Sequence, residues 1–104
     1  MTLTDLIGGL EAICPSVFED AAPVGIRPCI VCSVYGSRSV PGDDRTQVRI
    51  LKVQLDLLTL SSLDPLLDRV AYVLGTMALP WSIQSNAYDP DYGCFRSVVQ
   101  VEVL

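Results

Sequence analysis

Apolar and polar side chains alternate without error from residue 51 to 57. Leu51, Val53, Leu55 and Leu57 fall on one parity and Lys52, Gln54 and Asp56 on the other, which is the period-two signature of a half-buried strand. Beyond Thr59 the period lengthens. Leu66, Leu67, Val70, Ala71, Leu74, Met77 and Ala78 recur at steps of three and four, predicting a helix whose apolar stripe is wide enough to cover a sheet. Asp64 ahead of Pro65 marks its start, because the residue before proline avoids helical angles while proline suits the first helical position. Ser61 with Asp64 is a rival capping box slightly earlier. Leu79-Pro80 marks the end, since proline cannot extend the hydrogen-bond ladder. This helix lying on this strand is the predicted keystone, with each buried Leu, Val or Met side chain worth roughly 1.5–3 kcal/mol over exposure.

The same patterning places the other elements. Leu3, Leu6, Ile7, Leu10 and Ile13 have helical spacing after Thr2 or Thr4, and Thr2 with Asp5 offers a capping box, so a first helix is predicted over about 3–13. Gly8-Gly9 weakens it by about 1 kcal/mol per glycine relative to alanine, which reads as close packing, a tolerated weakness or a hinge. Residues 15–27, with Pro15, Pro23 and Gly25 around Phe18, read as a loop that pins Phe18 into the core. The run from Cys29 to Tyr35 reads as a buried strand bounded by Gly36. Residues 36–46 are a polar connector joining it to the strand that begins near Gln47, the end of a long antiparallel hairpin. Val48 and Ile50 are apolar on the parity where Lys52 and Gln54 are polar. That slip predicts either a β-bulge near Ile50 and Leu51 or a strand that leaves its own sheet. Trp81, Ile83, Ser85 and Ala87 alternate with Ser82, Gln84 and Asn86 as a strand. Residues 88–93 form a turn, and Phe95, Val99, Val101 and Val103 mark a last strand. The predicted fold class is α+β in the order helix, strand, strand, helix, strand, strand: a four-stranded antiparallel sheet with two helices on one face.

Composition narrows the function classes. The 104 residues make a single domain with one core, half of them apolar and 18% charged. The net charge of −5 argues against general binding to phosphate backbones or anionic membranes, which rests on basic residues. No apolar run approaches the ~18 residues of a membrane span, and Asp5 and Glu11 interrupt the segment where a secretion signal would lie. A cytosolic setting follows, in which the four cysteines are free thiols.

No histidine occurs in the chain, which removes the commonest general base, nucleophile activator and imidazole metal ligand. Cys29 and Cys32 form a C-x-x-C within a predicted strand, where positions three apart face opposite sides. A redox pair needs a helix start, and a zinc site two further ligands; buried core thiols are the better reading. Asp89-x-Asp91-x-Gly93 lacks the remaining ligands of a calcium loop and reads as a turn. No phosphate loop and no stacking platform for single strands is visible. The residues therefore describe a small acidic domain for binding or assembly, not an enzyme, with no catalytic, metal or cofactor site.

Taken in order, a short N-terminal helix, the proline-headed strand Pro28-Cys29-Ile30-Val31, a polar hairpin, Val53-Gln54-Leu55-Asp56-Leu57, a helix, Tyr88-Asp89 and the closing Arg96-Ser97-Val98-Val99-Gln100-Val101-Glu102 resemble the tail-completion proteins of long-tailed bacteriophages. The resemblance implies a virion structural protein, assembled in the bacterial cytoplasm. It would form a homohexameric ring that caps the tail tube, ends its polymerisation and joins tail to head. Its implied partners are copies of itself, the tail tube protein and the neck or connector protein of the head. The genome passes through the bore without sequence-specific binding, and no membrane is involved. Under this reading the hairpin and the slipped strand supply subunit contacts from Arg38, Val40, Asp43, Asp44, Arg45, Val48 and Ile50, and Tyr88, Asp89 and Tyr92 supply a second set. Alternative readings are a neck or connector protein of the same virus, or a small homodimeric α+β binding module.

Overall fold

Strand β3 (Gln47–Thr59) is the middle of the molecule. In the computed structural model, which describes residues 2–23, 25–41 and 47–104, the chain runs α1 (Leu3–Glu11), β1 (Val17–Glu19), β2 (Cys29–Pro41), β3, α2 (Leu66–Thr76), β4 (Trp81–Asp89) and β5 (Cys94–Val103). The strands form one sheet in the order β1-β2-β3-β5-β4. The α+β class is as expected, but the sheet is five-stranded and mixed. Val17, Phe18 and Glu19 pair in parallel with Ile30, Val31 and Cys32, while the other three pairings are antiparallel. Three residues between prolines are too few for alternation to register, so this stretch reads as loop in the sequence.

Both helices cover one face. Leu6 and Leu10 of α1, and Leu66, Val70 and Leu74 of α2, pack on Ile30, Cys32, Val53, Leu55, Leu57, Val99, Val101 and Val103. The alternation of β3 thus does what it predicts, with Val53, Leu55 and Leu57 closed off from solvent. On the other face a smaller cluster of Cys29, Val31, Leu58 and Cys94 is covered by Phe18 and Ala22. Phe18 is placed there by β1, on the side away from the helices, and not in the main core.

The helix ends show which local signals hold. Thr2 and Asp5 form the expected capping box, with Thr2 Oγ1 accepting from the Asp5 N–H at 3.2 Å and Asp5 accepting from the Thr2 N–H at 3.1 Å. Gly9 lies where α1 meets α2: a Cβ there would overlap the tip of Met77 and press on Val73, so its role is close packing. At α2, Asp64 Oδ1 accepts from the Leu66 N–H at 2.9 Å, satisfying a free donor of the first turn. Pro80 does not end α2. The chain leaves the helix earlier through Ala78 in the left-handed region (φ 54°). The Leu79 N–H bonds to the Leu74 carbonyl at 3.2 Å and the Ala78 N–H to the Gly75 carbonyl at 3.1 Å, the paired bonds of a Schellman ending. Glycine usually takes the left-handed position because a Cβ there costs roughly 1–2 kcal/mol. Ala78→Gly is therefore expected to stabilise the domain by about 1 kcal/mol, read as a higher urea midpoint with unchanged slope; no gain would mean that Ala78 is held there without strain.

The first part of the polar stretch, residues 36–41, is strand, and residues 42–46 lie outside the described residues. β2 continues to Pro41, paired in register with β3 so that Ser37 faces Leu51, Arg38 faces Ile50 and Val40 faces Val48. β5 reaches only Val103, opposite Leu51, so 36–41 and 47–50 rise past the body as a two-stranded arm. Thirteen residues at about 3.4 Å each span roughly 44 Å, most of the 49 Å long axis. The expected break at Ile50 and Leu51 is absent: β3 pairs without interruption, and the irregularity lies opposite it, between Val34 and Gly36 of β2. Val48 and Ile50 are apolar because they stand on the arm, beyond the polar middle of that face.

Candidate functional site

Among the expected contact residues, Asp43, Asp44 and Arg45 lie outside the described residues. The other seven fall into two separate groups. Arg38, Val40, Val48 and Ile50 share one face of the arm, since facing partners in a sheet point to the same side and Arg38 faces Ile50 while Val40 faces Val48. Ser37, Ser39 and Arg49 occupy the opposite face, where Arg49 Nη2 lies 3.4 Å from Ser37 Oγ. No described helix covers the apolar face of the arm, and Val48 is 43% exposed.

Arg38 anchors the base of the arm by donating from Nη2 to Glu102 Oε2 of β5 at 2.8 Å. That hydrogen bond holds the Glu102 carboxyl below its ordinary value of 4.5. A carboxyl lowered on folding contributes stability above the unfolded value, and the contribution disappears as pH falls through the folded one. Glu102 is thus expected to titrate below 4.5 in the wild type and to move back up in Arg38→Gln, followed by its side-chain carboxyl resonance. Identical titrations would mean that the pair does not persist in solution.

The second group sits at the other end of the sheet, around a residue not singled out in the sequence. Arg96 donates to Asp56 Oδ2 at 3.2 Å and to Asp89 Oδ2 at 3.4 Å, and its guanidinium lies 5.1 Å from the centre of the Tyr92 ring, within cation–π range. Asp89 Oδ1 accepts from the Asp91 N–H at 3.0 Å, so one Asp89 oxygen holds the turn and the other holds Arg96. Tyr88 stands on the helix side, edge-on to Phe95 with centroids 5.4 Å apart. The two tyrosines therefore lie on opposite faces and do not make one patch. Arg96 sat unnoticed because its parity includes both Val98 and Gln100, a mixed face that carries no alternation signal.

The cysteines are divided as their spacing requires: Cys32 belongs to the main core and Cys29 to the smaller cluster. All four are buried and free. Burial pushes the Cys32 thiol up to about 11, aided by Glu19 and Asp20, and raises Cys29 despite the nearby Arg27. Such thiols are poor nucleophiles at neutral pH.

Charge is distributed unevenly along the sequence. Four of the seven basic side chains (Arg38, Arg45, Arg49, Lys52) but only two of the twelve acidic ones lie between 38 and 52, a local net charge of +2; three basic and ten acidic side chains leave −7 on the rest. β4 is the second unusual surface. Its bulge between Ile83 and Ser85 breaks the expected parity, so Trp81 and Ile83, facing Val101 and Val99, share the helix side with Asn86 and Tyr88 rather than with Ser85 and Ala87. Trp81, Ile83 and Tyr88 are 37%, 48% and 56% exposed. No described helix is long and apolar enough to cross a membrane. No protein-family model matches the chain, and no characterised protein is significantly similar to it in sequence.

Proposed function

We propose that this protein is a structural, non-enzymatic component of a long-tailed bacteriophage, forming a homohexameric ring that caps the tail tube, stops its growth and presents a docking face to the head. The observation that carries the reading is the arm: a paired two-stranded projection whose mainly apolar face, with Val48 exposed, is covered by no described helix. Such a feature is costly in a monomer and useful in an assembly. The acidic body supports the same reading, because a like-charged bore would not retain DNA in transit. Partners under this proposal are further copies of the chain, the tail tube protein and the neck protein of the head, in the virion.

Electron microscopy of lysates from a phage carrying this gene with an early stop codon tests it. Filled heads beside overlong, detached tubes are expected. Tubes of normal length that fail to attach would move the protein into the neck, and normal infectious particles would end the structural reading.

A further inference from the structure

Two segments of this chain have open backbone edges and exposed or half-buried apolar side chains, and neither can satisfy the other within one molecule. The first is the arm. Residues 47–50 of β3 extend beyond the last partner in β5, and β2 beyond Cys32 has β3 on one side only. The second is β4, an outer strand exposed from Trp81 to Tyr88 and without Lys, Arg, Asp, Glu or Pro over that stretch. Outer strands of soluble monomers are usually kept short or carry such a blocking residue. β1, the opposite outer strand, conforms, being three residues long and ending in Glu19. In β4 only the bulge at Gln84 interrupts the edge. β5 separates β4 from β3, and the arm rises past the end of β5, so the two segments do not meet.

Charge says which surface belongs to which. On the helix side next to β4 lies a cavity of about 290 Å³ whose walls include Asp64 and Asp68 of the α2 start and whose lining includes Asn86 and Phe95 but no basic residue. Residues 36–50, which contain the arm, carry Arg38, Arg45 and Arg49 against Asp43 and Asp44, a net charge of +1 on a remainder of −6.

We propose that the arm of one copy adds to the β4 edge of a second copy, head to tail, as an extension of its sheet. Main-chain hydrogen bonds along β4 would provide the attachment, as in other strand additions. Val40, Val48 and Ile50 lie beside the neighbour's Trp81, Ile83 and Tyr88, and an arm of net positive charge meets a body of net negative charge. Donor and receptor are different surfaces, so the contact is heterologous, and repetition closes a ring when the rotation allows. The inference rests on the ring reading above and names the surfaces that build it.

Cysteine cross-linking tests it on the full chain. The native cysteines are buried, so single cysteines on exposed serines report cleanly: Ser37→Cys or Ser39→Cys on the arm, Ser85→Cys on β4. The arm and β4 variants, distinguished by an isotope label, are mixed under exchange and joined by oxidation or a short bis-maleimide. Linked pairs of one arm variant with one β4 variant are expected within the oligomer. Ile83→Lys, at a half-exposed position that should not disturb folding, is expected to weaken assembly by at least about tenfold, with an unchanged circular dichroism spectrum. Predominant β4-to-β4 or arm-to-arm links would overturn the proposal in favour of a symmetric contact. An oligomer showing no arm-to-β4 link overturns it and leaves the ring reading standing. A wild type that stays monomeric even with tail tubes present overturns both, and an arm that retains short duplex DNA without self-association assigns it to nucleic acid instead.

Discussion

Joining Arg38 directly to Ile50 through an Asn-Gly turn, with residues 39–49 removed, is expected to abolish assembly and leave the domain folded. Arg38 and Ile50 face each other in the β2–β3 register, and Asn-Gly is the favoured two-residue connection for an antiparallel pair. The deletion removes no residue of the main core; Val48, the apolar residue with most exposure on that face, already stands 43% in solvent. Stability should therefore change by no more than about 1 kcal/mol. Native mass spectrometry reads the oligomer and urea denaturation the fold. A shortened chain that still assembles would remove the arm from the contact, and one that no longer folds would make the arm part of the structural core.

The largest loss of stability is expected from Leu55→Ala. Leu55 is fully buried in the middle strand of the sheet, within the cluster that both helices cover. Truncation leaves a cavity that a sheet hydrogen-bonded on both sides cannot close, at a cost of about 2–5 kcal/mol. Against the roughly 5–15 kcal/mol that holds a domain of this size together, that is a substantial fraction. The matched control is Leu63→Ala, at a side chain 89% exposed, which should fall within about 0.5 kcal/mol of wild type. Equal urea midpoints for the two variants would contradict the placement of the core on β3.

What was legible in the sequence was whatever touches the core on one face only. β3 alternates because one side meets helices and the other water, and α2 repeats at three and four because it covers β3. Elements without that contrast were misread. Residues 36–41 form a strand with solvent near both faces, held by main-chain pairing with β3, and such a strand has no hydrophobic pattern to display. β1 is too short to show one, and its parallel pairing joins a segment read as loop. The sequence places the end of α2 at Pro80 because alanine gives no hint of a left-handed backbone, whereas Ala78 adopts it. For the candidate surfaces, the apolar residues Val48 and Ile50 were visible as a fault in a pattern. The β4 surface was not, since the bulge at Gln84 exchanges the two faces part-way along. Arg96 was hidden for the converse reason, being a cation whose partners Asp56 and Asp89 are 40 and 7 residues away.

The extra residue at Tyr35, between Val34 paired with Val53 and Gly36 paired with Lys52, sits at the root of the arm. A bulge bends its strand and sharpens the local twist, so this one residue fixes the direction in which the arm leaves the body. In any closed assembly built on that arm, the angle between neighbours determines how many subunits complete the circle. Symmetry order would then be set at a hinge-like offset far from the surfaces that touch. Removing the offset would also turn every side chain from Gly36 to Pro41 to the opposite side, presenting serines where the valine and arginine now stand.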